Sequence, residues 1–261
     1  MFVGGRGCSY YYPRQSSNTV KPLWRCLRTS DKEQFSLGDC EPFPVRTTPR
    51  IKICCIASLA EARAAIACGA SALGLVSSMP SGPGAIPEES IAEIARQIPP
   101  PIGTFLLTCA TSAEAIVAQQ RRCGTNTLQL CDYVDPSVYG DLRRELPGIA
   151  LVQVIHVTGP EAVDLARAAA EHVQSLLLDS GDTSLAVKLL GGTRRVHDWA
   201  TSRRIRDTVG VPVFLAGGLT AGNVAQAVAT VEPFGLDLCS SVRTDERLDA
   251  GKLDAFFSAL P

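Results

Sequence analysis

The stretch VPVFLAGGLTAGNVAQAVAT, residues 211–230, contains the pattern that decides the fold. It begins with a short apolar run, continues through two glycines, and ends in an Ala-rich segment in which Val224 and Ala227 fall on one helical face. Thr220 is a residue type that caps helix N-termini, so it is expected to cap a helix over 221–230. The stretch is therefore typical of a buried strand, a tight turn and a helix.

The same pattern occurs eight times from residue 51 onward. Short apolar runs, bounded by Gly, Pro or polar residues, predict buried parallel strands. The runs are 51–56, 72–76, 102–107, 127–130, 149–157, 175–178, 211–216 and 235–239. The segments between them begin with helix-capping patterns. These patterns are Ser58-x-x-Glu61, Thr111-x-x-Glu114, Thr158-x-x-Glu161 and Asp135-Pro136, and a last short helix is expected over 252–260.

Eight strand-then-helix units in one chain predict a closed barrel of the α/β class, a single (β/α)8 TIM barrel. An open doubly wound sheet usually has fewer strands and often a Gly-x-Gly-x-x-Gly first turn. The first turn here, Cys55-Ile56-Ala57-Ser58, has no glycine. We therefore predict a catalytic barrel domain over 51–261, preceded by an irregular N-terminal extension over 1–50.

The extension differs from the rest of the chain in charge. It carries eight basic and four acidic residues and has neither a helical nor an alternating apolar period. An acid-poor start that contains Arg and Ser is similar to a transit peptide. A disordered extension, or a start codon placed too far upstream, explains it as well.

The composition of the whole chain excludes several classes of partner. Lys and Arg total 25 and Asp and Glu total 26, so neither nucleic acid nor an anionic membrane is expected as a partner. No apolar stretch reaches the roughly 18 residues of a membrane span. The ten cysteines are scattered, without a CxxC pair or a zinc-ligand spacing, which indicates reduced thiols and a cytoplasmic location. A monomer and a homodimer are both open.

Loops rich in glycine and serine follow the last three predicted strands. Active sites of such barrels lie at the C-terminal ends of the strands, and phosphates often bind to the loops after strands seven and eight. Glycine lets backbone N–H groups approach a phosphate closely. One Gly pair alone could be a tight turn, but three such loops predict a phosphate site. The candidates are Gly191, Gly192, Gly217, Gly218, Ser240 and Ser241.

A carboxylate ends the sixth strand. Asp179 follows three leucines, and a carboxyl group at the end of an apolar strand is partly desolvated, which suits a general acid. A helix-capping or ion-paired aspartate is the alternative interpretation.

Two adjacent thiols end the first strand. Neighbouring residues of a strand point to opposite faces, so Cys54 is expected inside the barrel and Cys55 against the helices. Lys52 shares the face of Cys54, and its charge could favour a thiolate that acts as a general base. The alternative is two packed small side chains beside an unrelated lysine.

Together these residues resemble the motifs of the phosphoribosylanthranilate isomerase family of (β/α)8 enzymes. The similarity spans about residues 51–260. The order and spacing of the motifs are specific, whereas no single motif is. The matching motifs are Lys52-Ile53-Cys54, Leu177-Leu178-Asp179, Gly191-Gly192-Thr193 with His197-Asp198-Trp199, Leu215-Ala216-Gly217-Gly218-Leu219 with Asn223-Val224, and Asp237-Leu238-Cys239-Ser240-Ser241.

The resemblance implies the family's reaction, the Amadori rearrangement of N-(5-phosphoribosyl)anthranilate to 1-(2-carboxyphenylamino)-1-deoxyribulose 5-phosphate in tryptophan biosynthesis. It implies that Asp179 is the general acid that opens the furanose ring and that Cys54 is the general base that removes the C2 proton. Both steps are proton transfers on one phosphorylated small molecule, so no metal and no cofactor is expected.

The sequence departs from the family pattern in the loop after strand two. The family's Ser-Pro-Arg, whose arginine meets the anthranilate carboxylate, is absent there, which should weaken substrate binding. On strand four, the family's Gln-Leu-His-Gly is replaced by Gln129-Leu130-Cys131-Asp132. Arg194, Arg195 or Arg243 could supply the missing charge. A related isomerase or lyase on a different phosphosugar, or a non-catalytic phospholigand-binding barrel, is therefore the alternative function.

Overall fold

The computed structural model describes residues 48–180 and 198–261. Within these ranges, eight parallel strands close into a barrel in chain order, with β8 hydrogen-bonded to β1. The strands are β1 (Arg50–Ile53), β2 (Ala72–Val76), β3 (Gly103–Thr108), β4 (Thr127–Leu130), β5 (Ala150–His156), β6 (Ser175–Asp179), β7 (Val213–Leu215) and β8 (Gly235–Leu238). The predicted (β/α)8 barrel is confirmed. Of the predicted extension over 1–50, residues 1–47 lie outside the described residues.

A helix follows each strand and covers the outside of the barrel. The helices are α1 (Leu59–Ala67), α2 (Glu88–Arg96), α3 (Ala113–Cys123), α4 (Pro136–Glu145), α5 (Ala162–Ala170), α6 (Trp199–Thr208), α7 (Val224–Val231) and α8 (Ala250–Ser258). Between β8 and α8 lie a short 3-10 helix, Ser240–Val242, and a hairpin of β9 (Arg243–Thr244) and β10 (Arg247–Leu248). In the part of the chain that the structure describes, no helix is both long and apolar enough to cross a membrane.

The core has two layers, because alternate residues of each strand point to opposite faces of the sheet. Ile53, Leu176 and other outward residues pack against the helices in the larger apolar cluster. Leu177 and Phe214 belong to a second cluster inside the barrel. The inward positions at the C-terminal ends of the strands are therefore the ones available to build a site.

Two predicted helix starts are confirmed. The Ser58 hydroxyl caps α1 by accepting a hydrogen bond from the Glu61 amide at 3.2 Å. The Asp135 carboxylate caps α4 by accepting from the Ser137 amide at 2.9 Å, with proline at the first helical position. These caps join the barrel strands to their helices by short, well-defined turns.

Three other helix starts are shifted from their predicted positions. Ser112, and not Thr111, caps α3. At α5 the helix starts at Ala162, and the Thr158 hydroxyl donates to the Glu161 carboxylate at 3.0 Å in the preceding turn. At α3 the neighbouring serine takes the cap, whereas at α5 the two side chains of the predicted pattern bond to each other and not to the helix backbone.

The start of α7 lies three residues beyond its predicted position. The helix begins after Asn223, whose side-chain oxygen accepts from the Thr220 amide at 2.8 Å. This bond closes a turn over the residues that were predicted to form the first helical turn. The loop between β7 and α7 is longer as a result, and its residues Gly217 and Gly218 line the cavity at the barrel mouth.

Candidate active site

One cavity opens at the mouth of the barrel, where the C-terminal ends of the strands meet. Its lining comes from both ends of the chain, including the first residue after β1 and the loops after β7 and β8. Six of the eight predicted site residues line it, namely Cys54, Asp179, Gly217, Gly218, Ser240 and Ser241. The other two, Gly191 and Gly192, lie outside the described residues. The structure thus brings together residues that are up to 187 positions apart in the sequence.

Cys54 is the residue directly after β1. Its amide donates to the Leu238 carbonyl at 2.7 Å, which ties this position to the end of β8. Its side chain is buried, and a Cβ placed on Gly74 of β2 would lie 2.9 Å from the Cys54 Sγ atom. Gly74 therefore leaves the space that the thiol occupies.

Lys52 lies on the inward face of β1, as expected, and is fully buried. Its Nζ atom forms an ion pair with the Asp237 carboxylate of β8 at 2.9 Å and lies 5.4 Å from the centre of the Phe105 ring. Burial alone would lower the pKa of Lys52, but the Asp237 carboxylate, helped by Cys54, outweighs burial and raises that pKa. The barrel interior thus holds a permanent cation near Cys54.

Asp179 is the last residue of β6 and is 9% exposed. Its Oδ1 atom accepts a hydrogen bond from the Ser180 amide at 2.7 Å, and its backbone carbonyl accepts from the Val157 amide at 2.9 Å. These bonds fix the carboxyl group at the edge of the cavity that Cys54 also lines. Cys54 and Asp179 therefore face one volume from the ends of β1 and β6.

The prediction that Cys55 faces the helices is wrong. Its side chain lines the cavity mouth, with its Sγ atom 2.8 Å from that of Cys239 and 3.9 Å from that of Cys54. The prediction assumed that the strand continues through Cys55, but β1 ends at Ile53 and Cys55 has φ of 62°. A left-handed backbone breaks the alternation of a strand and turns the side chain back to the mouth.

Two glycines shape the loop after β7. Gly217 has φ of 82° and Gly218 has φ of 64°, a region that glycine adopts without a steric penalty. The Asn223 side-chain amide donates to the Gly218 carbonyl at 2.9 Å and holds the loop against the start of α7. Because neither glycine has a side chain, a ligand can reach the backbone of this loop directly.

The loop after β8 reaches the same cavity. Ser240 and Ser241 form the start of the short 3-10 helix there, and both line the cavity beside the two glycines. The predicted convergence of these two loops is therefore present, and the third loop, with Gly191 and Gly192, is outside the described ranges.

Arg243 does not line the cavity, so its guanidinium is not placed to contact a substrate carboxylate there. Its guanidinium is buried, donates to the backbone carbonyls of Cys54 (3.2 Å) and Cys55, and pairs with Glu61 at 3.3 Å. Its charge therefore holds the end of β1 in place. The other two arginines considered from the sequence, Arg194 and Arg195, are not among the described residues.

Sequence reasoning missed two polar residues of the interior. Gln129 of β4 is buried and lines the cavity, and among the described atoms its Oε1 has no hydrogen-bond partner. A polar residue within the apolar run 127–130 was the available signal. Asp237 is the second, and its pairing with Lys52 depends on the register between β8 and β1, which the sequence does not display.

A second cavity of about 320 Å³ lies outside the barrel between α4, α5 and β5. Its lining includes the stacked rings of Tyr139 and His172, whose centres are 5.1 Å apart. None of the six acid, base or phosphate candidates within the described ranges lines it. The barrel mouth is therefore the candidate active site.

Comparison with known proteins shows which family the chain resembles. A family model described as N-(5'phosphoribosyl)anthranilate (PRA) isomerase matches residues 51–259. The chain is 35% identical to N-(5'-phosphoribosyl)anthranilate isomerase 2 of Methanosarcina mazei, over 74% of this chain and 85% of that protein. It is 37% identical to the Haloferax volcanii enzyme of the same name, over 74% of this chain and 84% of that protein.

Solved structures agree with the fold. Phosphoribosyl anthranilate isomerase from Thermus thermophilus superposes with a TM-score of 0.67 at 26% identity, covering 81% of this chain and 98% of that chain. The match with the family model includes the strand ends that carry Cys54 and Asp179 and the loops that carry the glycines and serines of the mouth. The chain therefore belongs to the N-(5'-phosphoribosyl)anthranilate isomerase family.

Proposed function

We propose that this chain isomerises N-(5'-phosphoribosyl)anthranilate to 1-(2-carboxyphenylamino)-1-deoxyribulose 5-phosphate, a step of tryptophan biosynthesis. The observation that carries the proposal is that Cys54 and Asp179 line one cavity in a chain of this family. A similar solved structure, at 23% identity and a TM-score of 0.67, is a phosphoribosyl anthranilate isomerase in complex with reduced 1-(o-carboxyphenylamino)-1-deoxyribulose 5-phosphate. A protein of the same fold thus binds an analogue of the proposed product.

Asp179 acts as the general acid in the first step. Its protonated carboxyl group donates to the furanose ring oxygen while the C1–O bond breaks, and the anthranilate nitrogen lone pair forms the C1=N bond of a Schiff base. The burial of this carboxyl group at the end of β6 supports the role, because water competes less for its proton there.

Cys54 acts as the general base in the second step. Its thiolate removes the proton from C2, and the C–H electron pair forms the C1=C2 bond of an enolamine as the Schiff-base nitrogen takes up the C1=N pair. Tautomerisation to the C2 ketone completes the rearrangement. Lys52, which stays protonated beside Asp237, supplies a nearby positive charge that compensates a thiolate.

The phosphate of the substrate lies against the loops after β7 and β8. We assign its contacts to Gly217, Gly218, Ser240 and Ser241, with Gly191 and Gly192 from the loop after β6. Two observations support this assignment: both described loops line the cavity, and the two glycines of the loop after β7 have no side chain that would keep a phosphate from their backbone.

The proposed activity requires no second chain. Cys54 and Asp179 belong to the same barrel, so a monomer holds one complete acid–base pair and a homodimer would hold two. We assign the catalytic domain to the barrel, which begins with β1 at Arg50, one residue before the predicted boundary, and runs to residue 261, and the extension to the residues that precede it. We place the protein in the cytoplasm, because Cys54, Cys55, Cys123, Cys131 and Cys239 are free thiols, as is typical of a reducing compartment.

Genetic complementation tests the function. The chain should restore growth without tryptophan to an auxotroph that lacks this isomerase, and Cys54→Ser/Asp179→Asn should not. The purified protein should also convert N-(5'-phosphoribosyl)anthranilate in vitro. A folded protein that neither complements nor turns over this substrate would favour the different-phosphosugar alternative.

A further inference from the structure

Three thiols meet at the mouth of the barrel, and the proposed mechanism uses one of them. This thiol cluster consists of Cys54, Cys55 and Cys239, all free thiols. The Sγ atoms of Cys55 and Cys239 are 2.8 Å apart, whereas those of Cys55 and Cys54 are 3.9 Å apart. Cys55 is therefore closer to the thiol that follows β8 than to the thiol of its neighbour in sequence.

The fold explains why Cys55 and Cys239 meet. Ile53 of β1 pairs with Leu238 of β8, so the ends of the two strands lie side by side. In this register Cys239 is level with Cys54, and Cys55 lies one residue further along the chain. The left-handed backbone of Cys55 turns its side chain toward Cys239, across the seam where β1 and β8 meet.

The two thiols differ in their surroundings. The contact with Cys55, together with the nearby guanidinium of Arg243, holds the pKa of Cys239 below its ordinary value. The contacts with Cys239 and Cys54, together with burial, raise the pKa of Cys55. Cys239 is also the more exposed of the two. An oxidant from solvent therefore meets Cys239 first, in its more nucleophilic form.

We propose that Cys55 and Cys239 form a reversible redox modification site, in which a peroxide converts the two thiols into an intramolecular disulfide. In the first step the Cys239 thiolate attacks one oxygen of hydrogen peroxide, the O–O bond breaks, and hydroxide leaves. In the second step the Cys55 sulfur attacks the resulting sulfenic acid and water leaves, its proton coming from the Cys55 thiol. The hydroxide takes up the proton that the Cys239 thiol released on ionising, so the two thiols lose two electrons and the peroxide is reduced to two waters.

The disulfide would link two parts of the active site. Cys55 directly follows Cys54, the proposed base, and Cys239 directly precedes Ser240 and Ser241, which we assign to the phosphate. The disulfide would therefore tie the segment after β1 to the loop after β8. We expect oxidation to lower the isomerase rate by about tenfold or more, because a misplacement of about 1 Å can reduce rates by about 10²-fold. This consequence for the rate rests on the proposed function, but formation of the disulfide does not.

Peptide mapping of the full-length protein tests the site. In a Cys54→Ser background, trypsin releases residues 53–63 with Cys55 as their single thiol and residues 207–243 with Cys239 as theirs. After hydrogen peroxide and alkylation, these two peptides should be found joined, with the loss of two hydrogens, and dithiothreitol should separate them. Cys68→Ser, which removes a half-exposed thiol that contacts Asp254 elsewhere, should leave the link unchanged.

Three results would overturn the proposal. One is that both peptides stay fully alkylated after peroxide treatment. Another is that, in the Cys54→Ser protein, Cys239 forms a disulfide with a cysteine other than Cys55. A third concerns the order of attack: in Cys54→Ser/Cys55→Ala, dimedone should trap a sulfenic acid on Cys239, and an unlabelled Cys239 contradicts its role as the attacking thiol.

The wild-type protein tests the consequence for the rate. Its activity should fall after peroxide treatment and return with dithiothreitol, and Cys239→Ser should keep its activity under the same treatment. Equal loss in Cys239→Ser would show that the disulfide does not control the rate. A reduced protein with no isomerase activity at all would refute the proposed function, while the peptide map would still decide whether the disulfide forms.

Discussion

At the scale of single residues, the chemistry depends on Cys54 and Asp179. Cys54→Ser replaces the thiol by a hydroxyl that hardly ionises at neutral pH, and Asp179→Asn removes the transferable proton. Each change should lower kcat by about 10²-fold or more, the range for losing a positioned proton-transfer group. Affinity for reduced 1-(o-carboxyphenylamino)-1-deoxyribulose 5-phosphate, measured by calorimetry, should change little, because neither residue is assigned to the phosphate.

The matched control for these variants is a thiol away from the mouth. Cys55 is unsuitable because it touches Cys54 and Cys239. Cys123 is as buried as Cys54 and lies on α3, so Cys123→Ser should keep kcat and at most lower the free energy of unfolding. An active Cys54→Ser enzyme would contradict the assignment of the base.

The buried ion pair allows a second test at this scale. Lys52→Met leaves the Asp237 carboxylate buried without its partner, which should lower the free energy of unfolding by about 3–5 kcal/mol. The double variant Lys52→Met/Asp237→Leu removes both charges and should recover much of that loss. Urea unfolding of the two single variants and the double variant measures this coupling, and strictly additive losses would show that the two charges do not act as a pair.

At the scale of elements, the loop between β7 and α7 connects the fold to the phosphate site. Gly218 has φ of 64°, so Gly218→Val strains the backbone at the point where we place the phosphate. This variant should raise KM more than it lowers kcat. Gly222 lies in the same loop with space for a Cβ, so Gly222→Ala should leave KM unchanged in steady-state assays. An unchanged KM in Gly218→Val would count against the assigned phosphate site.

A carboxylate at the start of α1 joins that helix to the hairpin after β8. Glu61 accepts from the amides of Ala57 and Leu248, each at 2.9 Å, and pairs with Arg243. Burial alone would raise the pKa of Glu61, but these donors outweigh it and hold that pKa below its ordinary value. The ionised carboxylate therefore stabilises the folded state above the unfolded pKa of about 4.3, and this contribution is lost as the pH falls through the lower folded pKa.

Glu61→Gln should consequently reduce stability in a pH-dependent way. The free energy of unfolding should fall by about 1.5–3 kcal/mol at neutral pH, the range for hydrogen bonds to a charged group. The difference from the wild type should shrink as the pH falls below about 4.3. Glu93→Gln removes an exposed carboxylate of α2 and serves as the control in denaturant titrations. A difference that stays constant down to acid pH would contradict this origin.

The elements also show how far the sequence could be interpreted. All eight strands are predictable because a buried parallel strand is a continuous apolar run, and Asp179 follows directly from its place at the end of one. Helix starts are less certain, because Thr220 and Asn223 are both capping residue types and only the loop geometry selects Asn223. The orientation of Cys55 was not predictable, since it depends on one left-handed residue after the strand has ended.

At the scale of the whole molecule, closure of the barrel brings the site together. The number of strands predicts that the barrel closes. The register between β1 and β8 decides which interior residues meet, and it places Lys52 opposite Asp237. The Cys55–Cys239 contact and the bonds of Arg243 to the end of β1 lie along this same seam. No local sequence pattern encodes these contacts, because they join residues more than 180 positions apart.

The seam also defines the part of the chain that the barrel needs. The Arg50 amide donates to the Phe234 carbonyl at 3.0 Å, and β1 pairs with both β2 and β8. A variant that lacks residues 1–47 keeps every one of these contacts, so its kcat/KM and thermal unfolding midpoint should match those of the full chain. A variant that lacks residues 1–54 loses β1 and the proposed base and leaves the edges of β2 and β8 unpaired, so it should aggregate. Loss of folding or activity on removing residues 1–47 alone would show that the extension is part of the catalytic domain, against the boundary proposed above.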